Sequence, residues 1–163
     1  MKYTIKLFAI ALFTVFFTQQ INAQTTKYKC MIQMQNYSGK EAYVVISLVN
    51  AQGQYEKTLG ILGPDQEWYN TLKEWDKFNS KKKEKLNAIT GASVAGGARA
   101  TRVIEFETAK LNKGYQIRFE TAVETQDYHT KDAEIALTTT ALDNKAGIKG
   151  QGYIRQVRFI KVQ

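Results

Sequence analysis

The residues of this chain best suited to chemistry lie in one short stretch, Asn87-Ala88-Ile89-Thr90-Gly91-Ala92-Ser93. Two hydroxyls, on Thr90 and Ser93, flank a Gly-Ala pair. A lysine-rich run, Lys81-Lys82-Lys83-Glu84-Lys85, precedes them, and a second glycine pair, Gly96-Gly97, follows. Backbone N–H groups of a glycine-rich loop can cradle a phosphate, because small residues let the chain turn its amides toward one point. No Gly-Lys-Ser/Thr follows, so this is not a nucleotide-binding P-loop, and the spacing does not match the dinucleotide fingerprint. By composition alone it reads as a tight loop leading into a β-strand.

Other reactive groups are few. His129 and Cys30 are the only histidine and cysteine, so the usual zinc ligand sets cannot be assembled. Asp127, His129 and Asp132 are near one another in sequence and could hold a cation weakly, but a solvent-exposed loop histidine is the plainer reading. After the first 23 residues the serines are Ser38, Ser47, Ser80 and Ser93, and none sits in a nucleophile-elbow sequence. Glu105, Glu107, Glu120 and Glu124 read as ordinary alternating strand residues, not as a catalytic carboxylate pair. A hydrolase is therefore disfavoured. Cys30 alternates with Tyr28, Ile32 and Met34 on one face of a strand, which predicts a buried, unreactive thiol.

The elements that must position these groups are mostly strands. Residues 27–36 alternate apolar and polar. Residues 41–50 include Tyr43-Val44-Val45-Ile46-Ser47-Leu48-Val49, apolar on both faces, which predicts a central strand covered from two sides. Asn50-Ala51-Gln52-Gly53 is a hairpin-type turn into a strand over 54–62. Gly63-Pro64-Asp65 breaks it. A helix is expected over 65–78, capped by Asp65, with Trp68, Leu72 and Trp75 on one face. Strands are expected again over 101–109, 115–123, 133–139 and 152–162, with a glycine-bearing loop over 140–152. In the strand over 115–123, Ile117, Phe119 and Thr121 share one face and Arg118 and Glu120 take the other. The predicted fold is mostly β: an antiparallel, immunoglobulin-like β-sandwich with one amphipathic helix inserted before the glycine-rich motif. Little βαβ alternation is present, which argues against a Rossmann-like sheet.

The first 23 residues read as a secretory signal peptide. Lys2 and Lys6 precede the apolar stretch from Leu7 to Phe17, and Ile21-Asn22-Ala23 ends in a small residue. That apolar run is shorter than the roughly 20 residues a membrane-spanning helix needs. The expected organisation is signal peptide over 1–23 and a single β-sandwich domain over 24–163, exported to the periplasm or beyond, with no stable transmembrane segment once the signal is removed. The full chain carries a formal charge of +8. Removing Lys2 and Lys6, with no acid between them, leaves a basic mature chain. Export makes nucleic acid an improbable partner; acidic lipids, polyanionic glycans and acidic proteins suit a basic surface, and simple solubility is the plainest use of it.

The motif at residues 87–93 resembles the acceptor sequence on which extracytoplasmic bacterial proteins carry covalent FMN. In that pattern an Asp opens the motif and a closing Thr or Ser takes the flavin through a phosphoester. Here Asn87 stands in place of Asp, and Ser93 in place of the more usual Thr. The wider chain, from about Lys27 onward, resembles the domain-of-unknown-function 2271 family of exported bacterial proteins. The resemblance rests on Asn50-Ala51-Gln52-Gly53, Lys57-Thr58-Leu59, Leu72-Lys73-Glu74-Trp75, the motif itself and Gly114-Tyr115-Gln116-Ile117-Arg118-Phe119-Glu120. It implies an exported β-sandwich linked to flavin-based electron transfer. Ser93 would be the attachment point, with Asn87, Thr90, Gly91 and Ala92 as its motif and Trp75 as an aromatic wall. The implied partners are a membrane redox protein or another envelope protein, and a flavin transferase. Such a chain is a carrier more than an enzyme. The alternative is a non-catalytic binding or structural module of the cell envelope, with the motif as a conformational loop only.

Overall fold

The computed structural model describes residues 24–162; the expected signal peptide, residues 1–23, lies outside the described residues. The chain folds into two sheets packed face to face. One has four strands in the order β5-β1-β9-β8, and the other has five in the order β4-β3-β2-β6-β7. The strands are β1 (Thr25–Met34), β2 (Tyr43–Val49), β3 (Tyr55–Leu62), β4 (Thr90–Gly91), β5 (Arg99–Glu107), β6 (Gln116–Ala122), β7 (Tyr128–Ala136), β8 (Ile148–Lys149) and β9 (Ile154–Lys161). All pairings are antiparallel except the short one between β3 and β4.

Alternation sets the inner faces. Tyr28, Cys30, Ile32 and Met34 of β1 point into the sandwich, against Val44, Ile46 and Leu48 of β2 and Ile117 and Phe119 of β6. Cys30 is buried, and burial pushes its thiol pKa up, so it is an unreactive core residue as its pattern implies. β2 is the middle strand of the five-stranded sheet and is buried on both faces. Its second face packs under a helical layer built from a 3-10 turn, Gln66–Thr71, and helix α1, Lys73–Lys82. Val45 and Ile61 from the sheet meet Tyr69, Leu72 and Trp75 there. A second, four-residue helix, α2 (Thr139–Leu142), lies between β7 and β8 and is capped by the Thr138 hydroxyl.

Three expectations need correction. The predicted single helix over 65–78 is two pieces, because Leu72 leaves helical geometry at φ −87°, ψ 66°. Asp65 makes no cap; its carboxylate instead accepts from the Tyr43 hydroxyl at 3.2 Å. His129 is not in an exposed loop. β7 starts at Tyr128, so His129 is a half-buried strand residue whose ring meets Tyr153 edge-on at 5.1 Å. As expected, Arg118 and Glu120 share the face of β6 opposite Ile117 and Phe119; α1 covers that face, and Glu120 is fully buried.

Candidate functional site

The Asn87–Ser93 stretch is held to the five-stranded sheet at two points. Thr90 and Gly91 pair with Ile61 and Leu62 at the end of β3, and Gly91 accepts a 2.7 Å bond from Gly63 N–H. Three residues on, Val94 exchanges two backbone bonds with Ala42, of 2.8 and 3.0 Å. The Tyr37 hydroxyl locks this second anchor by donating to Val94 O at 2.8 Å and accepting from Ala42 N–H at 2.9 Å. Ala92 and Ser93 therefore form an arch between two fixed ends. Because Ala42 is an anchor, the preceding residue, Glu41, lies beside the arch, and its carboxylate accepts a hydrogen bond from the Ser93 hydroxyl. Gly96 keeps the descending arm close: a Cβ there would come within 2.1 Å of Tyr37 O.

Ser93 faces a cleft of about 380 Å³. Tyr43, Asp65, Trp68 and Thr71 line it, together with Lys40, Glu41 and Glu124. Trp68 is half-buried, so part of its indole is open to the cleft. Tyr43 holds its proton more tightly than a free tyrosine, through burial and its bond to Asp65. On the other side of the arch a second groove, of about 410 Å³, runs from Gly91, Ala92 and Ser93 to Arg99 and Arg102. Ser93 borders both spaces. Its hydroxyl is thus half-exposed, held by a carboxylate, and placed between an aromatic wall and two guanidinium groups.

The family described as "Predicted periplasmic protein (DUF2271)" matches residues 25–156, from the first residue of β1 into β9. The chain belongs to the DUF2271 family. That description agrees with the export predicted from the chain's first residues. No curated protein matches the chain, and no solved structure does. Among the described residues no helix is long and apolar enough to cross a membrane.

In this DUF2271 chain the expected site residues separate into distinct environments. Ser93, Ala92 and Gly91 share the arch. The Thr90 hydroxyl donates to Leu86 O at 2.9 Å and closes the short 3-10 turn Asn87–Ile89, so it is committed to local structure. Gly91 is packed: a Cβ there would lie 3.1 Å from the Arg102 guanidinium. Asn87 is exposed and opens into a different recess, shared with Gln66, Asp76, Asn79 and Glu84. Trp75 was expected to serve both core and cofactor wall; only the first holds. It is fully buried, and its indole N–H donates to the Thr58 hydroxyl at 2.8 Å beneath α1. The aromatic residue beside Ser93 is Trp68.

A buried polar network under α1 escaped the sequence reading. Glu120 accepts from the hydroxyls of Tyr55 and Tyr128, the latter at 2.6 Å, and from Trp75 N–H at 3.4 Å. Arg118 pairs with Glu134 at 2.6 Å and stacks over the Tyr55 ring at 5.1 Å. Burial raises the Glu120 pKa despite these donors, and burial with the Glu120 contact raises those of Tyr55 and Tyr128. The signal was present: β2 is apolar on both faces, so a strand paired with it must also be covered on both. Asp132, grouped earlier with Asp127 and His129, is likewise inside. Its carboxylate accepts from Thr121 Oγ1 and the backbone N–H of Gln151, Gly152 and Ile154, which fixes the turn into β9 and leaves it no part in an exposed site.

Proposed function

We propose that this exported sandwich carries FMN as a phosphoester on Ser93 and serves as an extracytoplasmic electron carrier. The observation that supports this is the position of Ser93: a half-exposed hydroxyl, bonded to Glu41, on an arch pinned at both ends and open to a cleft beside Trp68. The residues fit the group. Arg99 and Arg102 line the groove on one side of the arch and suit a phosphate. Trp68 and Tyr43 line the cleft on the other and suit a planar aromatic ring. When bound, the flavin would supply reversible electron transfer; the chain itself binds, orients and shields it. Glu41 accepts a hydrogen bond from the Ser93 hydroxyl and would take up its proton as that oxygen bonds to the FMN phosphorus of a dinucleotide brought by the transferase, whose other nucleotide leaves.

The loops between strands at one end of the five-stranded sheet form the site, as the ends of immunoglobulin-like sandwiches do. Asn87, exposed and away from the cleft, belongs to the surface that a flavin transferase would read, not to the phosphate pocket. A membrane redox protein or another envelope protein is the partner this reading calls for.

The test is the intact mass of the mature chain co-expressed with a flavin transferase in an exporting host. A gain equal to FMN minus water, located on a Ser93 peptide and absent from Ser93→Ala, is expected, and Asn87→Asp should raise the modified fraction. An unmodified chain beside a modified positive control would overturn the reading. The domain would then be a non-catalytic interaction module of the envelope, with the motif as a structural loop.

A further inference from the structure

The two sheets are not treated alike. Helix α1 and its preceding turn cover the outer face of the five-stranded sheet, while the outer face of the four-stranded sheet is bare. Alternation that sends Tyr28, Cys30 and Ile32 inward sends Lys27, Lys29 and Met31 outward. The register places Val103 and Ile160 on either side of Lys29, and Thr101 and Arg158 on either side of Met31. Met31, Val103, Ile160 and Val162 are 38%, 51%, 53% and 36% exposed, and they are the exposed large hydrophobic residues among those described. All four belong to this one face.

The same face is cationic. A groove of about 340 Å³ opens on it between Gln33, Arg99, Arg155, Gln156 and Arg158. Among the described residues none of these three arginines is in an ion pair. Glu105 offsets only Lys27, at 3.5 Å, and Glu107 is held by Lys110 at 3.1 Å.

We propose that this face docks on a membrane surface rich in anionic phospholipid. The headgroup phosphates take the arginine groove, and Met31, Val103, Ile160 and Val162 enter the boundary with the acyl chains. The interleaving of charge and aliphatic side chains decides between occupants. The core of a protein–protein interface is depleted of lysine, since an ammonium buried there loses its water. Here Lys29 stands in the middle of the apolar group. At a bilayer the same arrangement is favourable: aliphatic side chains reach inward while lysine and arginine heads stay among phosphates. Each cation near an anionic surface strengthens attachment about five-fold.

Co-sedimentation with lipid vesicles tests this. The mature chain should bind vesicles of phosphatidylglycerol and phosphatidylcholine in equal parts, should not bind phosphatidylcholine alone, and should be released by salt. Arg155→Gln with Arg158→Gln should weaken binding by about twenty-five-fold, and Val103→Ser with Ile160→Ser by about ten-fold. All four side chains are exposed, so unchanged melting curves will show that the variants fold. Lys81→Gln, Lys82→Gln and Lys85→Gln together remove more charge from the opposite, helix-covered side and should change binding by less than about two-fold. No binding to anionic vesicles overturns the proposal, as does equal binding to both kinds. A loss in the lysine variant as large as in the arginine variant would mean that net charge alone acts. Binding to polyglutamate without binding to vesicles would assign the face to an acidic protein instead.

Discussion

Glu120 is a carboxylate that the fold has taken out of water. Its oxygens accept from Tyr55, Tyr128 and Trp75 N–H, but the nearest cation, Arg118, is bonded to Glu134. Loss of hydration outweighs these donors, so the folded-state pKa lies above the ordinary glutamate value of about 4.3. The sign follows. Between the ordinary value and the raised one, the folded protein holds a proton that the unfolded chain has released. The stability this group supplies is complete below that window and is lost as pH rises through it. Glu120→Gln removes the proton and keeps the shape. The stability of the variant relative to the native chain should therefore climb as pH rises above about 4.3, by at most about 1.4 kcal/mol per pH unit. Urea titrations of both proteins across that range measure it; parallel curves would mean that the donors fully compensate the burial.

The helical layer shows, at the scale of elements, what periodicity can and cannot deliver. Trp68, Leu72 and Trp75 fit a 3.6-residue period, and a single helix follows from it. The side chains that are buried are Tyr69, Leu72 and Trp75, spaced by three. A 3-10 turn has that period, and it places Tyr69 against Trp75 at 5.3 Å and its hydroxyl on Gly63 O at 3.1 Å. Trp68 is left facing the Ser93 cleft. Both periods put Leu72 and Trp75 inside, so the sequence located the layer and misassigned one tryptophan. Strand alternation was more robust: β1, β2, β3, β5 and β6 fall where the pattern puts them, to within about two residues. The far end of α1 supplies an element-scale prediction. Lys83 closes the helix in the left-handed region, at φ 53°, ψ 52°, with its N–H on Asn79 O at 2.7 Å. A Cβ is unfavourable there and glycine is not. Lys83→Gly should stabilise the protein by about 0.5–1 kcal/mol. Lys81→Gly, two residues earlier in regular helix, should destabilise it by about 1 kcal/mol. Denaturation midpoints of the two variants should move in opposite directions.

At the scale of the whole molecule, the sequence showed strands but not which sheet each would join. Sheet membership is fixed by long-range pairs, such as Lys29 with Val103 and Ile160, that no local pattern encodes. That membership separates two surfaces. The Ser93 arch hangs from the ends of β2 and β3 in one sheet, and the basic face belongs to the other. Arg99, Ala100 and Thr101 border both the groove beside Ser93 and the groove on the basic face, and Arg99 is the one charged residue of the three. Sites that share no partners behave additively, whereas a shared residue couples them. Ser93→Ala should therefore bind anionic vesicles as the native chain does, and Arg155→Gln with Arg158→Gln should accept flavin as the native chain does. Arg99→Gln should weaken vesicle binding by about five-fold and also lower the fraction of chain that gains FMN. Measuring vesicle partition and intact mass on the same three variants separates the cases. If Arg99→Gln weakens only vesicle binding, the phosphate at Ser93 is held from the Arg102 side alone; if it lowers only the FMN fraction, the basic face binds through Arg155 and Arg158 without it.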